Sequence, residues 1–392
     1  MTAAGPLICI VTGEPSGDLL GARLMAALSR ATGGRARFMG VGGESMRDAG
    51  LDSLADLSEF AVMGFVEVLP KAARILRRVR EITNTIAAAR PDVLITVDSW
   101  GFTGRLNRAV RARGLGIPQI HYVAPMVWAW KEKRAEGVAA TVDHLLCLLP
   151  NEPPYFERHG LSCTHVGHPV VEGGAGRGDA AGFRAAHGIP VEAPLLAVLP
   201  GSRRTETGRL LPVFADALGR LRDRFPDLHV VTPTVATVAA DVEKAARAWP
   251  VPAVVVRGEA ARYDAFAAAD AAMAASGTVG LELALAGVPH LVAYRVSAVS
   301  AWLARRLLKV RYVNLVNLTL DRAVVPELLQ EACTGPALAA MVERLLSDET
   351  LRAAQRAAFA EATAQLAGGP GSPSDRAARV VLDALGWKES SP

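Results

Sequence analysis

The chain has 392 residues, 51% of them hydrophobic and 21% charged, with a formal net charge of +4. That composition excludes a disordered chain, and so small a basic excess, with no run of five basic residues, argues against nucleic acid as a partner. The four cysteines, Cys9, Cys147, Cys163 and Cys333, form neither a C-x-x-C pair nor a metal-ligand spacing, which excludes a disulfide scaffold and points to a reducing compartment.

The length is about twice that of one domain and predicts two. A mean hydropathy of +0.23 calls for a large interior or for apolar surface that meets a membrane or a partner. The N-terminus lacks a basic n-region and enters a strand almost at once, which reads as no signal peptide. The longest apolar stretch, residues 271–294, contains Glu282, several glycines and Pro289, and reads as strand, loop and helix rather than a membrane span. The expectation is a cytoplasmic protein that meets any bilayer from the side.

The first predicted elements are a strand, LICIVT (7–12), a polar turn, GEPSGD (13–18), and a helix, LLGARLMAALSR (19–30). The theme repeats at PDVLITVDSW (91–100), GIPQIHYVAP (116–125) and VDHLLCLLP (142–150). Residues 167–182 are rich in glycine and small side chains and read as a linker. The pattern then restarts with LLAVLPGSRRTE (195–206), and further strands are predicted at 228–235, 251–258, 271–276 and 290–297. Such alternation predicts two doubly wound α/β domains, with ligands at the carboxyl ends of parallel strands and the site between the domains. Beyond Pro336 the chain reads as helical, is broken at 368–375, and closes with a helix from Arg376.

The strongest local signal is SGTVGLELALAG (276–287), which comes after a strand and opens a helix. Free N–H groups there suit an anion, so Ser276, Gly277 and Thr278 are candidates for a diphosphate, with Glu282 one turn along for ribose hydroxyls. The alternative is an ordinary Ser/Thr cap on a core helix; a carboxylate inside so apolar a helix favours function. In PGSRRTE, Arg203 offers a planar, bidentate fork for phosphate oxygens, while Arg204 reads as a solvated charge.

GEPSGD lacks the G-x-G-x-x-G dinucleotide fingerprint. Its acids, Glu14 and Asp18, with Ser16 between them, disfavour a phosphate and suit sugar hydroxyls or proton transfer; for Asp18 a first-turn helix charge is the competing reading. Asp98 closes its strand and is the candidate base for an attacking hydroxyl, against a simple capping role. HYVAPMVWAW (121–130) could line a sugar or acyl site, although Tyr122 and Val123 read as core. Residues 61–70 and 302–313 combine apolar and, in the second case, basic side chains and could touch a bilayer or be buried. His144 and His159 read as locally satisfied; the sequence offers no metal-ligand cluster.

Taken in order along nearly the whole chain, GEPSGDLLGARL (13–24), FMGVGG (38–43), AVMGFVEVLP (61–70), HYVAPMVWAWKEKR (121–134), VGHPVVE (166–172), LPGSRRTE (199–206), ASGTVGLELALAGVP (275–289) and PELLQEAC (326–333) resemble the lipid-A-disaccharide synthase family. The resemblance implies a GT-B fold of two Rossmann-like domains: an acceptor domain over 1–172, a UDP-sugar donor domain over 173–375, and a terminal helix, 376–392, packed on the first domain or on a partner. It implies inverting transfer of 2,3-diacylglucosamine from UDP to 2,3-diacylglucosamine 1-phosphate, without metal or other cofactor. It also implies work at the inner face of the cytoplasmic membrane and suggests a homodimer with exchanged C-terminal segments.

By position, the resemblance makes Asp98 the general base and Glu14 an activity-critical acid. Arg203, Ser276, Gly277, Thr278 and Glu282 become the UDP-binding set, and Ser16, Asp18, Asn317 and Gln330 further substrate-site candidates. Two departures stand out. Gly101 occupies the place of a second family Asp, and Val316 that of a Pro before Asn317. Rival readings are another GT-B transferase, a UDP-GlcNAc 2-epimerase or a non-catalytic nucleotide-sugar or lipid-binding protein. A nicotinamide dehydrogenase is disfavoured by the missing glycine fingerprint.

Overall fold

The computed structural model describes residues 5–57, 65–128, 132–297, 301, 302, 306 and 310–387, with side chains from residue 74 onward in the helix that begins at Phe65. Residues 61–64, 129, 130, 303–305 and 307–309, which belong to the segments expected to face a bilayer or a sugar, lie outside the described residues, as do the last five of the terminal segment 376–392. The chain divides into two compact units, residues 1–169 with 367–392, and residues 170–366.

The first unit contains β1 (Leu7–Thr12), α1 (Pro15–Ala31), β2 (Arg37–Val41), α2 (Glu44–Asp48), α3 (Phe65–Ala89), β3 (Val93–Val97) and α4 (Trp100–Ala112). Next come β4 (Gln119–Tyr122), α5 (Arg134–Ala139), β5 (His144–Cys147), α6 (Pro153–Glu157) and β6 (Ser162–His165). Its sheet is parallel, in the order β2-β1-β3-β4-β5-β6. Strand order reverses between β1 and β3, since the chain leaves β1 toward β2 and returns on the other side. The central strands are apolar on both faces because helices cover both. Ile8, Ile10, Val93 and Ile95 pack with Leu24 and Leu28 of α1, and Cys9, Val11 and Leu94 pack with Ile82 and Ile86 of α3.

The chain returns to the first unit through the helix Pro373–Ala384, whose Val381 and Leu382 join the α1 core. One arginine organises this return. The Arg376 guanidinium donates to the carbonyls of Val166, Ala367, Gly369, Pro370 and Gly371. Gly368 (φ +71°) lies so close to Gly167 that a Cβ would sit 2.8 Å from the Gly167 nitrogen, so only glycine fits.

The second unit contains α7 (Ala180–Ala186), β7 (Leu195–Leu199), α8 (Arg204–Arg224), β8 (His229–Thr234), α9 (Ala239–Arg247) and β9 (Ala253–Arg257). Next come α10 (Glu259–Ala268), β10 (Ala271–Ala275), α11 (Val279–Leu285), β11 (His290–Tyr294) and β12 (Glu327–Leu329), and the helices Leu315–Leu320, Gly335–Ser347 and Glu349–Ala367 complete the unit. Its sheet is again parallel, in the order β12-β11-β10-β7-β8-β9, with the reversal between β7 and β10. Leu196, Val198, Phe214, Leu218 and Met273 form one core layer; Ala197, Phe266, Ala272 and Leu283 contribute to the other. No helix among the described residues is long and apolar enough to cross a membrane.

Candidate active site

In each unit several of the residues singled out from the sequence, Asp98 and Glu14 in the first and Arg203, Ser276, Gly277 and Thr278 in the second, stand where the strand order reverses, the place at which an open parallel sheet leaves a crevice at its strand ends. In the first unit these are the loops after β1 and β3. Asp98 (φ +53°) and Ser99 (φ +45°) occupy the left-handed region in succession, which non-glycine residues seldom adopt. Hydrogen bonds hold the turn, among them a Thr103 N–H bond to the Ser99 carbonyl at 3.0 Å. The Asp98 N–H donates to the Tyr122 carbonyl at 2.9 Å, the Phe102 N–H to the Ser99 carbonyl at 2.8 Å, the Ser99 N–H to Asp98 Oδ1 at 2.7 Å and the Thr103 hydroxyl to the Asp98 carbonyl at 2.7 Å. Val123, at the end of β4, has φ +83°, a conformation that is costly for a β-branched side chain.

Burial lifts the Asp98 carboxyl above the ordinary carboxylate value; the Ser99 N–H opposes the rise and the nearby Glu14 charge adds to it. Glu14 is the exposed N-cap of α1, with Pro15 next to it in the first turn, where a missing N–H costs nothing. The loop reaches Asp98 because glycines let it. A Cβ on Gly13 would lie 3.0 Å from the Ser99 Cβ and 3.0 Å from Phe102, and one on Gly17 would lie 2.1 Å from Thr12 Oγ1. Ser16 is exposed beside Glu14. Asp18 has a different place. It is 5% exposed, and its carboxylate accepts the backbone N–H groups of Gly43 (2.6 Å), Ser45 (2.9 Å) and Met46 (3.2 Å). It thereby caps α2 and holds that turn against α1.

Behind the Asp98 turn runs a buried polar chain. Thr96 Oγ1 is 2.8 Å from His121 Nδ1 and accepts from Asn107 Nδ2 at 2.8 Å. Burial pushes the His121 imidazole down to about 3, so it is neutral. Trp100 lies edge-on to it at 4.7 Å. Further along the same edge, Glu152 is 4% exposed and accepts from the Leu148 and Leu149 N–H groups, each at 3.0 Å, and from Trp128 Nε1 at 3.4 Å. Burial outweighs these donors and pushes its carboxyl up to about 7. Tyr122 is core, Val123 packs against that core, and Met126 is 61% exposed. At the place of the absent second Asp, Gly101 faces open space.

The second unit holds a cavity of about 700 Å³ at the ends of β7, β8, β9 and β10. All five residues expected to bind the donor line it: Arg203, Ser276, Gly277, Thr278 and Glu282. Arg203 is the extended N-cap of α8, and its Nη1 donates to Glu206 Oε1 at 2.9 Å. Gly201 (φ +102°) makes the turn; a Cβ there would lie 2.8 Å from Glu206 Oε2. Ser276 Oγ donates to the Val313 carbonyl at 3.4 Å, and Gly277 faces open space. α11 is only seven residues long and Thr278 provides no side-chain cap, so its dipole adds less than the sequence pattern suggests. Burial raises the Glu282 carboxyl; Arg262, bonded to it at 3.0 Å, pulls it down and Glu259 pushes it up.

Sequence reasoning missed three wall residues, Arg257, Glu259 and Arg262. The signal was available, because VRGEAARYD (256–264) again places a glycine and charges immediately after a strand.

Two further candidates hold loops rather than lining the cavity. Asn317 is 1% exposed; its Nδ2 donates to the Val325 carbonyl and to Glu327 Oε1, and its Oδ1 accepts from the Val324 and Val325 N–H groups, all at 2.8 Å. The Val316 departure fits this turn, since its N–H donates to Asn314 Oδ1 at 2.9 Å, a bond proline lacks. Gln330 (φ +52°) accepts the Val296 N–H at 3.3 Å. Among the described residues no group of three or more His, Cys, Asp or Glu side chains is placed to hold a metal ion.

Comparison with known proteins gives the family and the fold. The model of the lipid-A-disaccharide synthetase family matches residues 8–372. Over 379 residues the chain is 54% identical to the lipid-A-disaccharide synthase of Paramagnetospirillum magneticum, a match covering 96% of this chain and 97% of that one. The enzyme of the same name from Rhodospirillum centenum is 51% identical over 379 residues, covering 97% and 94%. Among solved structures, MnaA of S. aureus in a co-structure with UDP gives a TM-score of 0.65 at 15% identity, covering 99% of each chain. MurG of Acinetobacter baumannii gives 0.60 at 14%, covering 96% and 99%. The calicheamicin glycosyltransferase CalG4 gives 0.62 at 17%, covering 97% and 98%. At such identities these likenesses show the fold, which is GT-B.

Proposed function

The chain belongs to the lipid-A-disaccharide synthetase family and is a glycosyltransferase, and from that premise we propose that its second unit binds the UDP-sugar and its first supplies the base. The donor is UDP-2,3-diacylglucosamine and the acceptor is 2,3-diacylglucosamine 1-phosphate. The acceptor's 6-hydroxyl oxygen attacks the anomeric carbon in line with the departing UDP. The new C–O bond forms on the opposite face, the bond to the diphosphate breaks with its electron pair leaving on UDP, and the proton passes to Asp98. The products are the β-1,6-linked disaccharide and UDP.

Each proposed role has a physical basis. A carboxyl raised by burial is a stronger base than an exposed one. Arg203 offers the diphosphate a planar pair of donors once Glu206 yields it. Ser276, Gly277 and Thr278 leave room for the phosphates, with the N–H groups of Gly277 and Thr278 as donors, since the Ser276 N–H is bonded to the Ala293 carbonyl, and Glu282 accepts from ribose hydroxyls. Glu14, whose charge acts on Asp98, and the exposed Ser16 of the same loop are acceptor-side groups. Asp18, Asn317 and Gln330 act by holding the loops in place. The observation that carries this reading is that all five residues chosen for the donor line one cavity.

Multi-acyl substrates remain largely in the bilayer, since each buried methylene adds roughly 0.8 kcal/mol of membrane affinity. We therefore propose peripheral attachment to the inner leaflet. Leu76, 58% exposed on α3 among Arg74, Arg77, Arg78 and Arg80, and Trp302, 54% exposed with Arg306 stacked 4.2 Å over its ring, suit that task. A homodimer remains part of the proposal through the family resemblance alone.

The test is direct. Purified protein receives both substrates in detergent micelles with EDTA present, and disaccharide and UDP are monitored together. Equal amounts of the two products support the reading. UDP release that does not require the acceptor would move the assignment to hydrolysis or epimerisation.

A further inference from the structure

The donor cavity contains an arginine, Arg262, that the mechanism above does not use. Arg262 lies on α10, one turn past Glu259, and lines the cavity beside Glu282 of α11. Its Nη2 donates to Glu282 Oε1 at 3.0 Å, while its distance to Glu259 is 3.9 Å. The Glu282 side chain is 16% exposed and that of Arg262 27%, so water screens this pair less than a surface pair. The guanidinium packs 5.0 Å over the Tyr263 ring, and its Nε is buried without a hydrogen-bond partner. Nη2 also donates to the Tyr263 hydroxyl at 3.3 Å, and an arginine held in this way by the tyrosine, with Glu282 as its nearer carboxylate, is placed to set that carboxylate's charge and aim.

Glu282 needs such help. Burial favours its neutral form and Glu259 pushes the same way, while Arg262 is the cation that opposes both. The elements packed on α11 bring few other charges. Arg177 of the short helix Ala175–Arg177 donates to the Gly173 carbonyl, and buried His290 of β11 is bonded through Nδ1 to the Val288 carbonyl. β10 and the helix Leu315–Leu320 carry no titratable side chain. A neutral Glu282 would lose the charge-assisted part of any bond it accepts from a sugar hydroxyl.

We propose that Arg262 is the positioning residue that makes the donor cavity selective for ribonucleotides, by keeping Glu282 ionised and aimed at the ribose hydroxyls. This rests on the assignment of the cavity to UDP. Arg262 therefore acts through Glu282 and has no contact of its own with the diphosphate.

The experiment is calorimetric binding of UDP and of 2′-deoxy-UDP to the full chain and to Arg262→Gln, Arg262→Lys and Glu282→Gln. For the unsubstituted protein the expected preference for UDP is about tenfold, the order of one charge-assisted hydrogen bond. Arg262→Gln should lower it to about that of Glu282→Gln, and adding Arg262→Gln to Glu282→Gln should change it no further. Arg262→Lys keeps the charge and should retain most of the preference. The preference should fall on acidification, and with Arg262→Gln that fall should begin at a higher pH.

Equal weakening of UDP and 2′-deoxy-UDP by Arg262→Gln would overturn the inference and place Arg262 on the diphosphate or the base. A full preference surviving that substitution would also overturn it. Failure of the unsubstituted, folded protein to bind UDP would instead remove the donor assignment itself.

Discussion

The strand-order reversals of the two units offer the same kind of crevice and fill it with opposite chemistry. After β1 and β3 the first unit presents acids, Asp98 and Glu14, and burial rather than a cation governs the Asp98 carboxyl. After β7, at the end of β9 and on α10 the second unit presents arginines, and each acts with a carboxylate: Arg203 with Glu206, Arg257 with Glu243, Arg262 with Glu282. An unpaired, desolvated acid is suited to taking a proton. An arginine held by a carboxylate is suited to being handed to an anionic ligand. The fold supplies position in both cases, and the local charge decides the task.

The comparison is broken most severely at its acid end. Asp98→Asn keeps the turn's shape but cannot take a proton, so kcat should fall by about 10²–10⁴ while UDP affinity, measured by calorimetry, stays unchanged. A drop in both would mean that the acid serves the donor.

The next effect concerns stability. Glu152 titrates at about 7 in the folded chain against an ordinary 4.5. Between those values the unfolded chain has released a proton that the folded chain keeps, so this group's contribution to stability is lost as pH rises through the window. Glu152→Gln removes that dependence. Relative to the unsubstituted protein it should gain roughly 3 kcal/mol between pH 4.5 and 8, read from denaturant unfolding at several pH values. Parallel pH profiles would show that burial does not govern this acid.

A smaller effect is expected at the basic end. Arg203→Ala removes the planar donors and should weaken UDP binding by about 1.5–3 kcal/mol, or roughly tenfold to a hundredfold, with less effect on a donor-saturated rate. The smallest change concerns how closely the acid loop packs. Gly17→Ala would set a methyl group 2.1 Å from Thr12 Oγ1, and the shift it forces should cost about 1–2 kcal/mol in thermal unfolding.

Much of this is legible in the residues. Strand runs such as LICIVT and LLAVL, each leading into a glycine turn and a helix, mark out both sheets, and the chemistry-bearing residues Asp98, Arg203 and Ser276 stand directly at the ends of such runs. The features that stay hidden depend on three-dimensional neighbours. Asp18 reads the same whether it faces a substrate or caps α2; only its three backbone donors distinguish the roles. Asn317 likewise spends both ends of its amide on the 324–327 turn. The role of Arg262 is invisible along the chain because its partner, Glu282, is 20 residues away in sequence. The left-handed backbone at Asp98, Ser99 and Val123 leaves no mark in residue type, since none is glycine.

The measurement that tests the central division of labour most directly is UDP affinity and single-turnover transfer rate on the same preparations of Asp98→Asn and Arg203→Ala. The account predicts separation: unchanged UDP affinity with a collapsed rate for Asp98→Asn, and weakened UDP affinity with a largely recovered rate at saturating donor for Arg203→Ala. An Asp98→Asn protein that transfers at the full rate, or one that loses UDP as Arg203→Ala does, would contradict it.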